Sequence, residues 1–215
     1  MSKESKLLSV LVVTAATLVA GFIILFQFSS PKIYGNKIGS TGEVSRYVSR
    51  DIPMIDSNGS TRKLMELKGK VWLVSHVFTR CPGQCAGVCV VLDEIRKDLD
   101  DSENLHIVSV TLDPAHDTPK HLKDFSEKHG FVSDNWWFLT GDTDELNNYM
   151  LDVFSLAAQE KEESEKVSED DIFAHKPMVA LINHELKIEG WYNPFDKRSS
   201  EVLRDKLLFA LNEAK

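Results

Sequence analysis

The stretch VWLVSHVFTRCPGQC, residues 71–85, decides the fold of this chain. Its first eight residues are almost continuously apolar, which is typical of a β-strand covered on both faces. Cys81 and Cys85 follow this strand with a proline and a glycine between them, and an apolar pattern with helical spacing begins at the second cysteine. The stretch therefore predicts a buried strand that leads into a cysteine loop at the N-terminus of a helix.

The placement of Cys81 and Cys85 indicates reactive thiols. The dipole at a helix N-terminus favours the thiolate, which is the form that attacks disulfides and binds soft metals such as Cu(I). Cysteine is often buried for packing alone, but a Pro-Gly pair between two cysteines describes a loop rather than a core. Three interpretations stay open at this point: copper binding, thiol–disulfide exchange by an enzyme, and a structural disulfide.

The rest of the chain alternates strands and helices. Strand patterns occur at residues 105–112, 136–139, 178–183 and 186–192, and helical patterns follow Cys85, the N-caps Thr118 and Asp142, and a cap at Ser199 or Ser200. Gly130 suits the end of the second helix, and residues 56–60 suit a hairpin tip. The order β-α-β-α-β-α-β-β-α predicts an α/β sandwich around a central sheet.

Composition limits the class of protein. The chain has 215 residues, 42% of them hydrophobic, which suits one globular domain plus attachments. Its net charge of −8 argues against nucleic acid as a partner, and three cysteines are too few for a disulfide scaffold. Residues 160–171 hold seven acidic residues and two lysines. We interpret this segment as a solvated loop; the alternative is a surface that guides a basic partner.

The N-terminal region predicts a membrane anchor. Residues 7–28 contain no charged side chain and are long enough to cross a bilayer. A cleaved signal peptide is the alternative, but its apolar core is normally shorter, and residues 26–31 fit a cleavage site poorly. We predict a cytoplasmic tail at 1–6, a transmembrane helix at 7–28, a tether at 29–50, and a globular domain at 51–215 outside the cytoplasm.

A histidine close to the cysteine loop would complete a three-coordinate copper site. His175 comes just before the predicted strand at 178–183 and is well placed to reach the loop. His76 lies within the strand that enters the loop, so we expect it to be packed in the fold. His116, at the carboxyl end of another strand, is a weaker candidate. Position alone gives each histidine a structural alternative, with His175 the best placed ligand.

Two more residues allow alternative interpretations. Cys89, one helical turn beyond Cys85, is either a buried core residue or a third thiol that resolves a disulfide or replaces a metal ligand. Pro177, two residues after His175, is either the first residue of a strand or a cis-proline packed against the thiol loop.

Four segments together resemble the Sco/SenC family of membrane-anchored, thioredoxin-like proteins. They are GKVWLVSHVFTRCP at 69–82, DPAHDTP at 113–119, LTG at 139–141, and His175 before VALI at 179–182. The match extends over about residues 52–210, and the DPxxDTP element together with the Cys-x3-Cys spacing is specific to few families. The resemblance implies a thioredoxin-like α/β sandwich with a central mixed sheet flanked by helices.

The resemblance also implies copper binding, as Cu(I) or Cu(II), at Cys81, Cys85 and His175. The family's usual role is to deliver copper to, or reduce the thiols of, the binuclear copper site of cytochrome c oxidase. We therefore predict a copper chaperone anchored in the inner (cytoplasmic) membrane, with its domain facing the periplasm or outer side; the mitochondrial inner membrane is the less favoured alternative. Its partner would be the copper-site subunit of the oxidase or another thiol or copper protein. The alternative is a thiol–disulfide oxidoreductase in which Cys81 and Cys85 are the redox pair.

The chain departs from the family pattern around this site. Gly83 and Ala86 stand where the family usually has Asp and Pro, and Ala174 and Lys176 flank His175 in place of Asp and Ser. Losing a carboxylate and gaining a lysine shifts the local charge toward positive, which favours thiolates and electron-pair chemistry.

Overall fold

The computed structural model describes residues 47–81, 84–99 and 103–215, without the side chains of Gln84 and Cys85. These residues belong to one compact unit, Ile33–Lys215. The predicted tail at 1–6, the predicted anchor at 7–28 and most of the predicted tether lie outside the described residues. Among the residues described, no helix combines the length and apolar character needed to cross a membrane.

A mixed seven-stranded sheet forms the centre of the domain. Its strands are β1 (Met54–Asp56), β2 (Thr61–Arg62), β3 (Val71–Val77), β4 (Leu105–Thr111), β5 (Trp136–Thr140), β8 (Val179–Ile182) and β9 (Ile188–Tyr192), in the spatial order β2-β1-β5-β4-β3-β8-β9. Strands β3, β4 and β5 are parallel, whereas β1, β8 and β9 are antiparallel to their neighbours. The prediction of an α/β sandwich with a central mixed sheet is confirmed.

The helices pack on both faces of this sheet. They are α1 (Gln84–Leu99), α2 (Pro119–His129), α3 (Thr143–Phe154) and α4 (Lys197–Glu213). Strand β3 is buried along its whole length. Because its side chains alternate, Leu73 packs with α1, α2 and α4 on one face, and Trp72 packs with α3 on the other. The continuous apolar run in the sequence is explained by this burial on both faces.

The helix termini lie at the predicted capping residues with one exception. The Thr118 hydroxyl caps α2, Gly130 ends it with a φ of 75°, and the Asp142 carboxylate caps α3. The cap of α4 predicted at Ser199 or Ser200 is wrong. Asp196 caps this helix by accepting from the Ser199 N–H at 2.8 Å, while the Ser199 hydroxyl accepts from the Asn193 N–H. The helix begins earlier because that hydroxyl is already used by the preceding turn.

The acidic segment is flanked by a second, two-stranded sheet that the sequence pattern did not predict. Strands β6 (Ala158–Glu160) and β7 (Phe173–His175) are antiparallel, and Ala158 lies opposite His175. Most of residues 160–171 are exposed, as expected of a solvated loop, but Lys161 and Asp171 form an ion pair of 2.6 Å at its base. The segment is therefore the connection of a hairpin rather than a free loop.

The hypothesis of a cis-proline at Pro177 is wrong, since the described peptide bonds are all trans. The chain turns at this point through a hydrogen bond from the Met178 N–H to the Lys176 carbonyl oxygen, at 2.8 Å. Pro177 thus precedes β8 rather than lying within it, and no ladder donor is lost.

A buried carboxylate ties the exit of β3 to the loop after β4. Asp117 is fully buried and accepts from the Thr79 N–H at 3.2 Å and from the Thr111 hydroxyl at 2.6 Å. It also accepts from the Thr79 hydroxyl, and its other neighbour is His116 Nδ1 at 3.0 Å. Thr79 lies two residues before Cys81, so the DPxxDTP element holds the start of the cysteine loop.

Replacing Leu73 by Ala should lower the free energy of unfolding by about 2–5 kcal/mol, because the truncation leaves a cavity in the sheet–helix core. Urea unfolding of the full-length chain measures this. The matched control is Leu208→Ala, at a site 46% exposed on α4, which should change it by less than about 0.5 kcal/mol. Equal effects at the two positions would contradict the assignment of Leu73 to the core.

Replacing Asp117 by Ala should lower the free energy of unfolding by about 1–3 kcal/mol, because it removes the acceptor of the buried Thr111 hydroxyl and of the half-buried Thr79 N–H. Asp124→Ala is the control, since Asp124 is an exposed residue that pairs with Lys120 on α2. Thermal or urea unfolding compares the two variants. An Asp117 variant as stable as the Asp124 variant would show that the network does not hold the loop.

Candidate metal centre

The cysteine loop begins where β3 leaves the sheet. The Cys81 N–H donates to the Phe78 carbonyl oxygen at 3.1 Å, which closes a turn. The half-buried Cys81 packs against a small apolar cluster built on Phe78 and Leu112. Because α1 begins at Gln84, the helix N-terminus follows this turn directly, as the sequence predicted.

Cys85 lies in the first turn of α1, but its side chain is outside the described residues. The Cys81–Cys85 pair therefore stays a prediction. Among the described side chains, no group of three or more His, Cys, Asp or Glu residues is arranged to hold a metal ion. That search does not include the Cys85 thiol, so the predicted set of Cys81, Cys85 and His175 also stays a prediction.

Strand β7 packs across the end of β3 that leads into the cysteine loop. The ring of Phe173 meets the ring of Phe78 edge to face, with centroids 5.4 Å apart, and Phe173 packs on the same cluster as Cys81. The ring of His175 meets the ring of His76 in the same manner, at 6.3 Å. Because residues two apart on a strand share a face, these two ring contacts lie next to each other along β7. The fold thus brings the strand of His175 to the base of the loop.

His76 is packed in the fold, as expected from the sequence. It is only 5% exposed, and burial lowers its pKa to about 4, which outweighs its contact with the Leu156 carbonyl oxygen. Its Nε2 lies 3.1 Å from that oxygen. A backbone hydrogen bond with Val110 also raises this pKa slightly, but burial remains the dominant cause. The ring is therefore neutral at physiological pH.

His116, the weaker candidate ligand, is engaged in the network of the DPxxDTP element. Its Nδ1 lies 3.0 Å from the Asp117 carboxylate, and its ring stacks on His121 with centroids 4.6 Å apart and planes 8° from parallel. These contacts give His116 a structural role in the network of the DPxxDTP element.

Arg80 sets the charge beside Cys81, and sequence reasoning missed it. Its guanidinium donates to Asp113 at 2.5 Å and to Asp170 at 3.5 Å, and it lies over the Phe78 ring at 5.8 Å. Two aspartates therefore surround the cation next to the loop, and one of them belongs to the acidic segment. The Arg-Cys and Asp-Pro pairs were visible in the sequence, but their proximity depends on the parallel pairing of β3 and β4.

Cys89 is a core residue. It is fully buried on α1 beside Val88 and Leu92, and burial raises the pKa of its thiol to about 12 despite a hydrogen bond with Ser109. A thiol with this pKa is neutral and shielded from partners, which favours the packing interpretation over that of a third reactive thiol.

Comparison with known proteins agrees with this architecture. The sequence model of the SCO1/SenC family matches residues 43–208. The SCO1 protein homologue of Bacillus subtilis is 31% identical over 155 residues, which is 68% of this chain and 77% of that protein.

Two solved structures give the same picture of the fold. BsSco, described as a member of the Sco family of cytochrome c oxidase assembly proteins with a disulfide switch, is 25% identical with a TM-score of 0.65 over 81% of this chain and 99% of its own. ScoI of Bradyrhizobium japonicum with copper bound is 22% identical, with a TM-score of 0.58 over 75% and 98%. The mixed sheet and its helices are thus a thioredoxin-like fold, and the chain belongs to the SCO1/SenC family.

Proposed function

We propose that this chain is a membrane-anchored copper chaperone that assists assembly of the copper site of cytochrome c oxidase. The observation that carries the proposal is the packing of β7 on the end of β3, with Phe173 on Phe78 and His175 on His76. This packing supports the idea that an imidazole from late in the chain and a thiol from its first half serve one site.

The donor set fits copper. In the proposal, Cys81 and Cys85 supply two thiolates and His175 supplies an imidazole, a combination that suits Cu(I). The N-terminus of α1 favours the thiolate form of both cysteines. The turn closed at Phe78 and the hydrogen bonds from Thr79 to Asp117 hold the start of the loop, up to Cys81, in position before any metal arrives. Such preorganisation reduces the entropy lost on binding.

The partner and the location form part of the same proposal. Residues 7–28 would anchor the chain in the inner membrane with the domain on its outer side, where the copper-site subunit of the oxidase is exposed. The relative BsSco belongs to a family of oxidase assembly proteins, which supports this partner. Copper would pass by ligand exchange from these thiolates to cysteines of the recipient.

A second function is favoured by one observation, the disulfide switch described for BsSco. In this case the chain is a thiol–disulfide oxidoreductase: the thiolate of one of Cys81 and Cys85 attacks a partner disulfide, and the other thiol resolves the mixed disulfide. His175 would then not be needed for activity.

Copper titration of the reduced full-length chain separates the two functions. The wild type should bind about one Cu(I) per chain, and His175→Ala should lower the affinity at least about tenfold because it removes a ligand. His129→Ala is the control, since His129 is exposed at the end of α2. Competition with a chromogenic Cu(I) chelator gives the affinities. Equal affinities in the wild type and His175→Ala would contradict the chaperone.

The redox function has its own measurement. If the chain is mainly an oxidoreductase, Cys81→Ser should abolish reduction of a model disulfide, and His175→Ala should leave the rate within about twofold of the wild type. If Cys81→Ser loses copper binding and the wild type reduces no disulfide, the chaperone is the better interpretation.

A further inference from the structure

Arg80 joins three parts of the chain that meet at the start of the cysteine loop. Its Nη2 donates to Asp113, in the loop after β4, at 2.5 Å. Its Nη1 lies 3.5 Å from the carboxylate of Asp170, in the acidic segment, and its guanidinium carbon lies 5.8 Å from the centroid of the Phe78 ring. Because Arg80 directly precedes Cys81, these contacts are made next to the first of the proposed copper ligands.

The two ion pairs of Arg80 differ in their exposure to solvent. The Asp113 side chain is only 11% exposed, and the Nε of Arg80 is out of contact with solvent. The Asp170 side chain is 56% exposed. The guanidinium is therefore anchored on the body of the domain by Asp113, and Asp170 is the partner that can separate from it at low cost.

Asp170 is closely connected to the strand that carries His175. The next residue, Asp171, forms an ion pair of 2.6 Å with Lys161. The Lys161 N–H donates to the Ile172 carbonyl oxygen at 2.7 Å, and β6 pairs with β7 from there to His175. A contact at Asp170 therefore restrains β7 as well as the acidic segment.

We propose that Arg80 is a positioning residue for the proposed copper site. It is held by Asp113 and pairs with Asp170, and in this way it keeps the β6–β7 hairpin, and with it His175, against the start of the cysteine loop. The inference rests on the proposed function for the role of His175 as a copper ligand. Because a ligand that is already ordered loses less entropy on binding, the pair raises the affinity for Cu(I) without touching the metal.

The arrangement depends on the shape of arginine. Its planar guanidinium presents two separate Nη groups, so one cation can pair with a carboxylate on each side. A lysine at this position offers a single nitrogen, which we expect to stay with the less exposed Asp113. Arg80→Lys therefore keeps the positive charge beside Cys81 and removes the link to Asp170. This variant separates positioning from a simple effect of charge on the thiolates.

The first measurement is made without metal, by hydrogen–deuterium exchange of the reduced full-length chain. Residues 172–176 should exchange about two- to fivefold faster in Asp170→Asn and in Arg80→Lys than in the wild type, the range expected from a solvent-exposed ion pair. Exchange within β4 should not change. Glu169→Gln is the matched control, since it removes the same charge from the adjoining residue, which is exposed and forms no ion pair within the part of the chain that the structure describes.

Copper affinity provides the second measurement. Competition with a chromogenic Cu(I) chelator should show affinities that are about two- to fivefold lower in Asp170→Asn and Arg80→Lys and unchanged in Glu169→Gln. The double variant Arg80→Lys, Asp170→Asn should bind no more weakly than either single variant, because both changes break the same pair.

The inference falls if Asp170→Asn and Glu169→Gln behave alike in both measurements. It also falls if Arg80→Lys matches the wild type while Arg80→Gln binds copper more weakly, because charge alone would then explain the effect. Copper binding by the wild type alongside either result leaves the proposed function intact. A wild type that binds no copper removes the proposed function, and the exchange rates then decide separately whether Arg80 holds the hairpin.

Discussion

The structure depends on the burial of β3 on both faces. A strand placed between two helical layers must pair its backbone groups on both edges, and β4 and β8 provide those partners. Its carboxyl end therefore emerges inside the sheet, beside the loop that follows the parallel strand β4. The cysteine loop begins at this position, and the elements that surround it are fixed by the same sheet order.

Two tertiary contacts convert this strand end into a site. From one side, the buried Asp117 accepts hydrogen bonds from Thr79 and so holds the start of the loop. From the other side, β7 packs on the end of β3: the Phe173 ring contacts the Phe78 ring, and the His175 ring contacts the His76 ring. The first contact is polar and the second is aromatic, but both act on the same few residues. Together they position the described start of the loop, up to Cys81.

Particular residues show what pattern reasoning can and cannot recover. The run at 71–78 predicted β3 because six of its eight residues are apolar and nearly continuous, which is typical of a strand covered on both faces. Strand β7 was missed because it has three residues, and its pairing with β6 depends on the packing of Phe173 rather than on local propensity. The start of α4 was misplaced because the Ser199 hydroxyl serves the preceding turn, a competition that the sequence pattern does not reveal.

The sequence by itself determined the α/β class, the order of its elements, the cysteine loop before a helix and, through the DPxxDTP motif, the resemblance to the Sco/SenC family. These features follow from local periodicity and short motifs. Only the tertiary structure decided that His175 contacts His76, that Arg80 lies between Asp113 and Asp170, and that Cys89 is a buried core thiol. These facts depend on which distant segments pack together. Such packing is set by the summed burial of many side chains and is not encoded in any one stretch of the chain.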